Sequence, residues 1–265
     1  MTNEYSEVLM KRLMMLMFVF ISITVMAAPE SATLEYKLDG GSIQAFQLIT
    51  TTKSEFSIFG IDQKTGSKLI LNIHRETEKG SKPGTFNVKN VVDSGKIIIQ
   101  GKESKYAGEG SFTQIIMDKT GKILENLDES GKKINELQVN FPSKAVKPGD
   151  VWGTKAKFDI SDISSDTKDV DISMLFILKG FESYKGAQCA VIETKFESNE
   201  IREKNLNINI KGNGKMYFDY EEGKLMANFS KLKIDFAIFS DENNENKLRK
   251  VFSVSLDMLS QLTSL

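Results

Sequence analysis

Apolar side chains recur at every second position in several stretches of this chain, and no other feature limits its fold as strongly. The clearest stretches are Phe46-Leu48, Leu69-Leu71-Ile73, Leu206-Ile208-Ile210 and Phe236-Ile238. Successive side chains of a β-strand point to opposite faces of a sheet, so this period is typical of strands with one buried face. Helical periodicity is scarce beyond residue 28. The sequence therefore predicts an all-β protein of long antiparallel strands, forming an open half-barrel or two related curved sheets.

Short turn sequences of one chemical type separate these stretches. Each has an acidic residue shortly before a glycine, at residues 62–66, 93–95, 118–121, 128–131 and 221–223. An acidic side chain can accept hydrogen bonds from the backbone amides of a turn, and glycine adopts the positive φ that a chain reversal needs. We interpret each of these sequences as the turn of a β-hairpin.

The C-terminal residues fit two patterns. Leu256, Leu259 and Leu262 could share one face of a helix, whereas Phe252, Val254 and Leu256 alternate as in a strand. We interpret the region as a strand followed by a frayed tail.

The first 28 residues have the order of a secretory signal peptide. Lys11 and Arg12 precede the apolar stretch 13–26, and the small residues Ala27 and Ala28 follow it. The apolar stretch is shorter than the roughly 20 residues that a membrane-spanning helix needs. We therefore expect a signal helix that is cleaved near residue 28, rather than the alternative of an uncleaved membrane anchor.

Two details refine this expectation. Glu4 and Glu7 are unusual in a positively charged signal start, so Met10 is the better initiation residue. No cysteine lies near the cleavage site to carry a lipid, because the single cysteine of the chain is Cys189. We expect a soluble exported protein, periplasmic or extracellular, with no stable transmembrane segment after cleavage.

Composition excludes several classes of partner. A formal net charge of -1 gives no general attraction for nucleic acid or another polyanion. With one cysteine the chain forms no internal disulfide, so the fold depends on its hydrophobic core. Cys189 lies in the apolar run 187–192, where we expect a buried, unreactive thiol rather than a nucleophile.

A weak internal repeat divides the chain near its middle. In the first copy, an apolar stretch follows Gly108-Glu109-Gly110 and precedes residues 118–122. In the second copy, an apolar stretch follows Gly212-Asn213-Gly214 and precedes residues 219–224. If this is a duplication, we expect a first β half at 29–141 and a second at 142–265, after the signal at 1–28. A chance match within one continuous domain is the equal alternative.

The most distinctive residues lie at this boundary, in the run Phe141-Pro142-Ser143-Lys144-Ala145-Val146-Lys147-Pro148-Gly149-Asp150-Val151-Trp152. Its two prolines bracket an extended segment, and Pro148-Gly149-Asp150 is typical of a turn. We interpret Trp152 as a packing residue at a corner, because a lone aromatic residue makes a poor stacking platform for a ligand.

This run, together with the later Gly214, Phe218-Asp219 and Gly223-Lys224-Leu225, resembles a family of uncharacterised exported bacterial β-proteins over about residues 139–240. Proteins of that family are similar in architecture to the open β half-barrels of periplasmic lipoprotein carriers. The resemblance implies a concave apolar face. The shared residues lie in turns, and the resemblance identifies no catalytic residue.

Residues that usually carry enzymatic chemistry are few. The chain has one histidine, His74, and its position after Ile73 places it with Asn72 on the polar side of a strand, as a solvated residue rather than a base. One histidine and one cysteine exclude the common zinc sites. The nucleophile elbow and the phosphate-binding glycine loop are also absent from the sequence. We predict no catalytic residue, no cofactor and no metal ligand.

Two acidic clusters leave calcium binding as an alternative. The first comprises Asp159, Asp162, Asp166, Asp169 and Asp171, and the second comprises Asp241, Glu242 and Glu245. Calcium prefers roughly six to eight oxygen ligands. Neither cluster has the spacing of a known calcium loop, so we interpret both as solvated loops.

These observations favour a non-enzymatic role. We expect an exported protein whose concave apolar surface binds a lipid-like or other hydrophobic ligand, or a component of the cell envelope. A structural or interaction module with a filled core is the alternative, and an enzyme that uses scattered carboxylates is a third class. An apolar cavity on the order of several hundred Å³ would favour ligand binding, and a packed interior would favour the module.

Overall fold

The computed structural model describes residues 28–38, 40–58, 61–128, 139–159, 169–198, 201–203, 206–239 and 248–263. Thirteen β-strands lie within these ranges: β1 Ser42–Ile58, β2 Ile61–Lys79, β3 Thr85–Ile99, β4 Lys102–Lys105, β5 Phe112–Asp118, β6 Ile123–Asp128, β7 Val151–Asp159, β8 Asp169–Tyr184, β9 Ala187–Ser198, β10 Ile201–Glu203, β11 Leu206–Asp219, β12 Lys224–Phe239 and β13 Leu248–Thr263. The part of the chain that the structure describes contains no helix. No helix there is long and apolar enough to cross a membrane. The predicted signal segment 1–28 lies outside the described residues except for Ala28.

The strands form an antiparallel sheet in the order β6-β5-β3-β2-β1-β13-β12-β11-β9-β8-β7, with β4 beside β3 and β10 beside β11. Two edge strands, β6 and β7, end the path, so the described sheet is open. The prediction of an all-β fold built from antiparallel strands is confirmed. The C-terminal region is also a strand, as predicted, because β13 pairs with β1 on one side and β12 on the other.

The predicted turn at residues 62–66 is wrong. These residues lie inside the long hairpin of β1 and β2, where Asp62 pairs with Ser57 and Gly66 pairs with Lys53. The hairpin instead reverses between Ile58 and Ile61. A polar run with a glycine therefore extends a strand here, because the backbone hydrogen bonds of a ladder do not depend on side-chain polarity.

The predicted turn at residues 93–95 is also wrong. Ser94 pairs with Asn72 and Val92 pairs with Ile73, so Asp93 is an extra residue in β3 opposite β2. This arrangement is a β-bulge, which bends a strand without reversing it.

The predicted turn at residues 118–121 is confirmed. The Asp118 carboxylate accepts hydrogen bonds from the backbone N–H groups of Thr120, at 2.9 Å, and Lys122, at 3.1 Å. Gly121 supplies the positive φ of 88°. An aspartate cap and a glycine therefore form the turn between β5 and β6.

The turn at residues 221–223 is confirmed as well, although its cap comes from an earlier residue. Asp219 accepts hydrogen bonds from the backbone N–H groups of Glu221, at 3.0 Å, and Glu222, at 2.9 Å. Gly223 has a φ of 63°. The turn predicted at 128–131 lies outside the described residues beyond Asp128, the end of β6.

These two aspartate-capped turns are joined by residues 28–38, which we call the N-terminal strap. Tyr36 donates its backbone N–H to the carbonyl of Lys119, at 2.7 Å, and Lys37 donates to the carbonyl of Gly223, at 3.2 Å. Leu34 and Leu38 of the strap are buried. The strap therefore links the β5–β6 turn to the β11–β12 turn through its backbone.

The core is centred on an aromatic cluster between the strap and the sheet. Tyr36 lies 5.4 Å from Phe141 and 5.2 Å from Phe218, and Phe141 lies 4.5 Å from Phe218, measured between ring centroids. Phe141 precedes the predicted corner, and Val146 pairs with Ala32 of the strap in an isolated bridge. Burial of three aromatic rings at these distances stabilises the junction of strap, corner and sheet.

The internal repeat is matched in only one of its two parts. The Asp118 and Asp219 turns occupy equivalent places at the ends of hairpins and both contact the strap. The Gly-x-Gly parts differ, because Gly110 has a φ of 82° in the connection before β5, whereas Gly212 and Gly214 lie inside β11. The division into 29–141 and 142–265 stays a prediction.

Alternation along the strands gives the sheet two faces. On β8 the buried residues Ile172, Met174, Phe176 and Leu178 point to the same side, which we call the core face. The strand pairing shows which residues of the other strands lie on the same face: Gly214 of β11, Ser230 of β12, Thr50 and Leu48 of β1, and Leu71 of β2. The opposite side, which we call the outer face, carries the candidate site.

Candidate ligand-binding groove

A line of apolar side chains crosses the outer face near the middle of the sheet. Ile70 of β2 pairs with Ile49 of β1, Ile49 pairs with Leu259 of β13, and Leu259 pairs with Phe229 of β12. We call these four residues the apolar row. Phe229 remains 38% exposed although it is large and aromatic. Ile70, Ile49 and Leu259 are partly exposed, so the row is contiguous rather than a set of scattered exposed residues.

A second, polar row runs parallel to the apolar row on the same face. Lys231 of β12 pairs with Asn213 of β11, and Asn213 pairs with Lys195 of β9. Thr51 of β1 continues this row two residues beyond Ile49. Side chains two positions apart on a strand are separated by about 7 Å, so the polar row lies about 7 Å from the apolar row.

The space between the two rows is an open groove of about 590 Å³. Its floor is the backbone of Thr194, Gly214 and Ser230, which lie between the rows on β9, β11 and β12 and belong to the core face. The groove crosses β1, β13, β12, β11 and β9, so four strand spacings of about 4.8 Å make it about 19 Å long. One side of this channel is apolar at β1, β13 and β12 and charged at β11 and β9, and the other side is polar.

The apolar row ends in charged residues at β11 and β9. Lys215 pairs with Phe229 across β11 and β12, and its ammonium lies 3.6 Å from Glu182 and 4.6 Å from the ring centroid of Tyr217. The side-chain contact with Tyr217, followed by the charges nearby, raises the pKa of Lys215 above its ordinary value. Lys215 therefore stays protonated at neutral pH. Glu193 of β9 also lines the groove, and its carboxylate forms an ion pair with Lys179 at 3.4 Å.

Cys189 is buried in β9, where it pairs with Glu182 of β8 and Asp219 of β11. The thiol has no exposed surface, and burial, followed by the charge of Asp219, raises its pKa to about 11. Tyr184 and Tyr217 stack near it with ring centroids 4.1 Å apart. The prediction of a buried thiol is confirmed, and such a thiol is a weak nucleophile because little of it ionises near neutral pH.

His74 lies on the outer face, as predicted, but it is bound to neighbouring side chains rather than free in solvent. Its Nδ1 lies 2.5 Å from the Asp93 carboxylate, and its Nε2 lies 3.3 Å from Glu76. The hydrogen bond with Asp93 is the largest cause of a raised His74 pKa. Asp93 reaches the imidazole because the β-bulge of β3 adds this residue opposite β2.

Trp152 is a packing residue, as predicted. It stacks on Phe176 of the core face, with ring centroids 5.8 Å apart. It therefore lies on the face opposite the groove.

The acidic clusters proposed as alternative calcium sites lie almost wholly outside the residues whose side chains are described. Of the first cluster, Asp171 alone has a described side chain, and none of the second cluster is described. Among the described residues, no group of three or more histidine, cysteine, aspartate or glutamate side chains is placed to hold a metal ion.

No pattern in the sequence predicts the groove. Ile49, Phe229 and Leu259 come from three distant parts of the chain, and their contact depends on the pairing of β1, β13 and β12. Alternation along one strand indicates which residues share a face, but it does not indicate which strands are neighbours.

Comparison with known proteins shows no close relative. No family model matches the chain, and no curated protein matches it. Solved structures do match: a candidate exported protein with a YmcC-like fold from Bacteroides fragilis is 12% identical over 87% of this chain and 97% of its own, with a TM-score of 0.31.

Two further structures illustrate the range of these matches. A DUF1329 family protein from Desulfovibrio piger is 10% identical over 82% of this chain and 85% of its own, with a TM-score of 0.16. The translocator domain of the autotransporter NalP from Neisseria meningitidis is 9% identical over 85% of this chain and 90% of its own, with a TM-score of 0.21. At these values the matches assign no ligand and no activity to this chain.

Proposed function

We propose that the chain is an exported, non-enzymatic protein that binds a lipid-like amphiphile in the groove of its outer face. The observation that carries the proposal is the apolar row, in which Ile49, Leu259 and Phe229 line one side of the groove on three adjacent strands and Ile70 extends the row onto β2. Covering this row removes apolar surface from water, which is favourable by about 25 cal/mol per Å².

The two walls of the groove fit an amphiphile better than a wholly apolar ligand. A hydrocarbon chain can lie against Ile49, Leu259 and Phe229, while Thr51, Asn213 and the lysines of the polar row stay hydrated. The stems of Lys195 and Lys231 can also cover apolar surface while their ammonium groups remain in water. A ligand of this shape needs no enclosed cavity.

Export is supported by the signal-like order of residues 1–28. A non-enzymatic role is supported by the chemistry of the potentially reactive side chains. Both imidazole nitrogens of His74 lie near carboxylates, and the Cys189 thiol is buried with a raised pKa. Neither group lies in the groove.

A fluorescent fatty-acyl probe tests the proposal directly. We expect the purified protein to bind the probe and Ile49→Ser to weaken binding by about tenfold or more, because burying an isoleucine side chain contributes about 1.5–3 kcal/mol. Native mass spectrometry of protein purified from the host envelope should also find a co-purified amphiphile.

Ile43→Ser is the matched control. Ile43 lies on the same strand and the same face as Ile49, is 61% exposed, and does not line the groove. We expect its probe affinity to equal that of the wild type. Equal weakening by both substitutions, or no probe binding by a folded wild-type protein, would contradict the proposal.

A structural or interaction module remains the second candidate, and one observation favours it. The strap and the corner fill part of the core face with Tyr36, Phe141 and Phe218, where a half-barrel carrier would have open space. Under this alternative the protein would bind no amphiphile, and its outer face would contact another macromolecule of the envelope.

A further inference from the structure

A second groove lies on the outer face next to the first, and its lining is polar. It has a volume of about 560 Å³ and is lined by Gln47, Asn72, Ser94, Lys96 and residues of and near β4. Ile70 also lines this second groove, and its cross-strand partner Ile49 lines the first. The two grooves therefore meet at the Ile49–Ile70 pair.

Hydrogen-bonding side chains form a ladder across the floor of the second groove. Gln47 donates its amide N–H to the Asn72 carbonyl oxygen, at 3.2 Å, and Asn72 donates to the Ser94 hydroxyl, at 2.9 Å. Each primary amide has two N–H donors and an oxygen with two lone pairs. One donor of each amide is used in the ladder, so both amides and the hydroxyl keep capacity for a ligand.

The charged residues of the second groove neutralise one another. Lys96 lies 3.0 Å from Glu103, and Lys105 lies 2.5 Å from Glu109. An anionic ligand would have to compete with these carboxylates for the lysines. A neutral ligand with several hydroxyl groups would instead use the unpaired donors and acceptors of the ladder without separating an ion pair.

We propose that the second groove binds the head group of the amphiphile, and that this head group is neutral and rich in hydroxyl groups, as a sugar is. The proposal rests on the proposed function, because it places the chain in the first groove and the head group in the second. Asn72 lies two residues from Ile70 on β2, so the ladder is about 7 Å from the apolar row. A head group attached at the end of the chain can reach that distance.

Displacement of the fatty-acyl probe by two detergents of equal chain length tests the proposal, with both used below their micelle-forming concentrations. Dodecyl maltoside has a sugar head group, and dodecyl octaethylene glycol ether has an uncharged head group without hydroxyl-rich rings. We expect the maltoside to compete about tenfold more strongly, a difference that corresponds to one or two net hydrogen bonds.

Asn72→Leu removes the centre of the ladder at nearly the same volume. We expect this variant to lose the preference for the maltoside while its affinity for the ether is unchanged. Asn209→Leu is the control, because Asn209 lies on the outer face of β11 and does not line either groove. It should keep the preference.

The outcomes separate the two proposals. Equal competition by the two detergents, with the probe still displaced, overturns the head-group proposal and leaves the proposed function standing. A preference that survives Asn72→Leu, or stronger competition by dodecyl phosphate than by the maltoside, also overturns the head-group proposal. Failure of the folded protein to bind the probe at all overturns the proposed function and the head-group proposal with it.

Discussion

The core face and the outer face of this sheet both carry large apolar side chains, but they differ in how far these side chains are buried. Phe218 on the core face has no exposed surface and packs against Tyr36 and Phe141, whereas Phe229 on the outer face is 38% exposed. Both lie on neighbouring strands of the β11–β12 hairpin. The difference teaches that apolar residues on one face of this sheet are packed in the core, while those on the other face stay partly exposed to water.

The largest expected effect is on the core face. Phe218→Ala should lower the free energy of unfolding by about 3–5 kcal/mol, because it removes buried surface and leaves a cavity in the aromatic cluster. Phe229→Ala should lower it by less, about 1–2 kcal/mol, because 38% of the residue is already exposed. Urea unfolding followed by circular dichroism measures both. Similar losses for the two variants would contradict the division between the faces.

A smaller effect is expected where the strap crosses the β11–β12 turn. A Cβ atom at Gly223 would lie 2.3 Å from the backbone nitrogen of Lys37, so Gly223→Ala must displace the strap. We expect a loss of about 2–3 kcal/mol, of which about 1 kcal/mol comes from the positive φ. Thermal unfolding measures this loss.

Gly41→Ala is the control for that prediction. Gly41 has a φ of 88°, but a Cβ atom there would meet nothing within 4 Å. Its loss should be limited to the roughly 1 kcal/mol cost of the backbone conformation. If the two alanine variants lose the same stability, contact between strap and turn contributes nothing beyond backbone strain.

The smallest expected effect is a pH dependence on the outer face. The pKa of His74 in the folded protein is above its ordinary value, chiefly because of the hydrogen bond with Asp93. The resulting stabilisation is fully present below the unfolded pKa and is lost as the pH rises through the higher folded pKa. Because the pair is partly exposed, we expect a change of less than about 1 kcal/mol.

Nuclear magnetic resonance titration of the His74 ring measures the pKa directly. Asp93→Asn should return it toward the ordinary value, while Asp171→Asn, at an exposed residue of β8, should leave it unchanged. An unshifted His74 pKa in the wild type would show that the bulge does not hold the two side chains together in solution.

Sequence reasoning predicted this fold where the signal was local. The alternation at Leu69, Leu71 and Ile73 identified β2, and the capped turn at Asp118 was found from the spacing to Gly121 alone. An aspartate followed by a glycine four residues later did not form a turn at Asp62, because there the long register of β1 with β2 outweighed the turn preference. At the turn 221–223, the sequence pattern indicated a glutamate as the acidic residue, whereas the carboxylate that caps the turn is that of Asp219.

The candidate site was beyond local reasoning for a physical reason. Ile49 and Leu259 are neighbours because strands from opposite ends of the sequence pair in one register, and a shift of that register by one residue would turn Leu259 to the core face. The ladder of Gln47, Asn72 and Ser94 depends likewise on the bulge at Asp93. Long-range register, rather than residue type, creates both grooves.

The central position of β13 has a consequence for how the protein matures. β1 and β12 are neighbours of β13 on its two sides, so the sheet cannot become continuous until residues 248–263 are available. The pairing of β1 with β13 joins segments about 200 residues apart and forms slowly, and until β13 is in place β1 and β12 present unpaired edges that can join other chains. In any N-to-C emergence of the chain, the earlier strands are therefore present with unpaired edges before the strand that joins them is available.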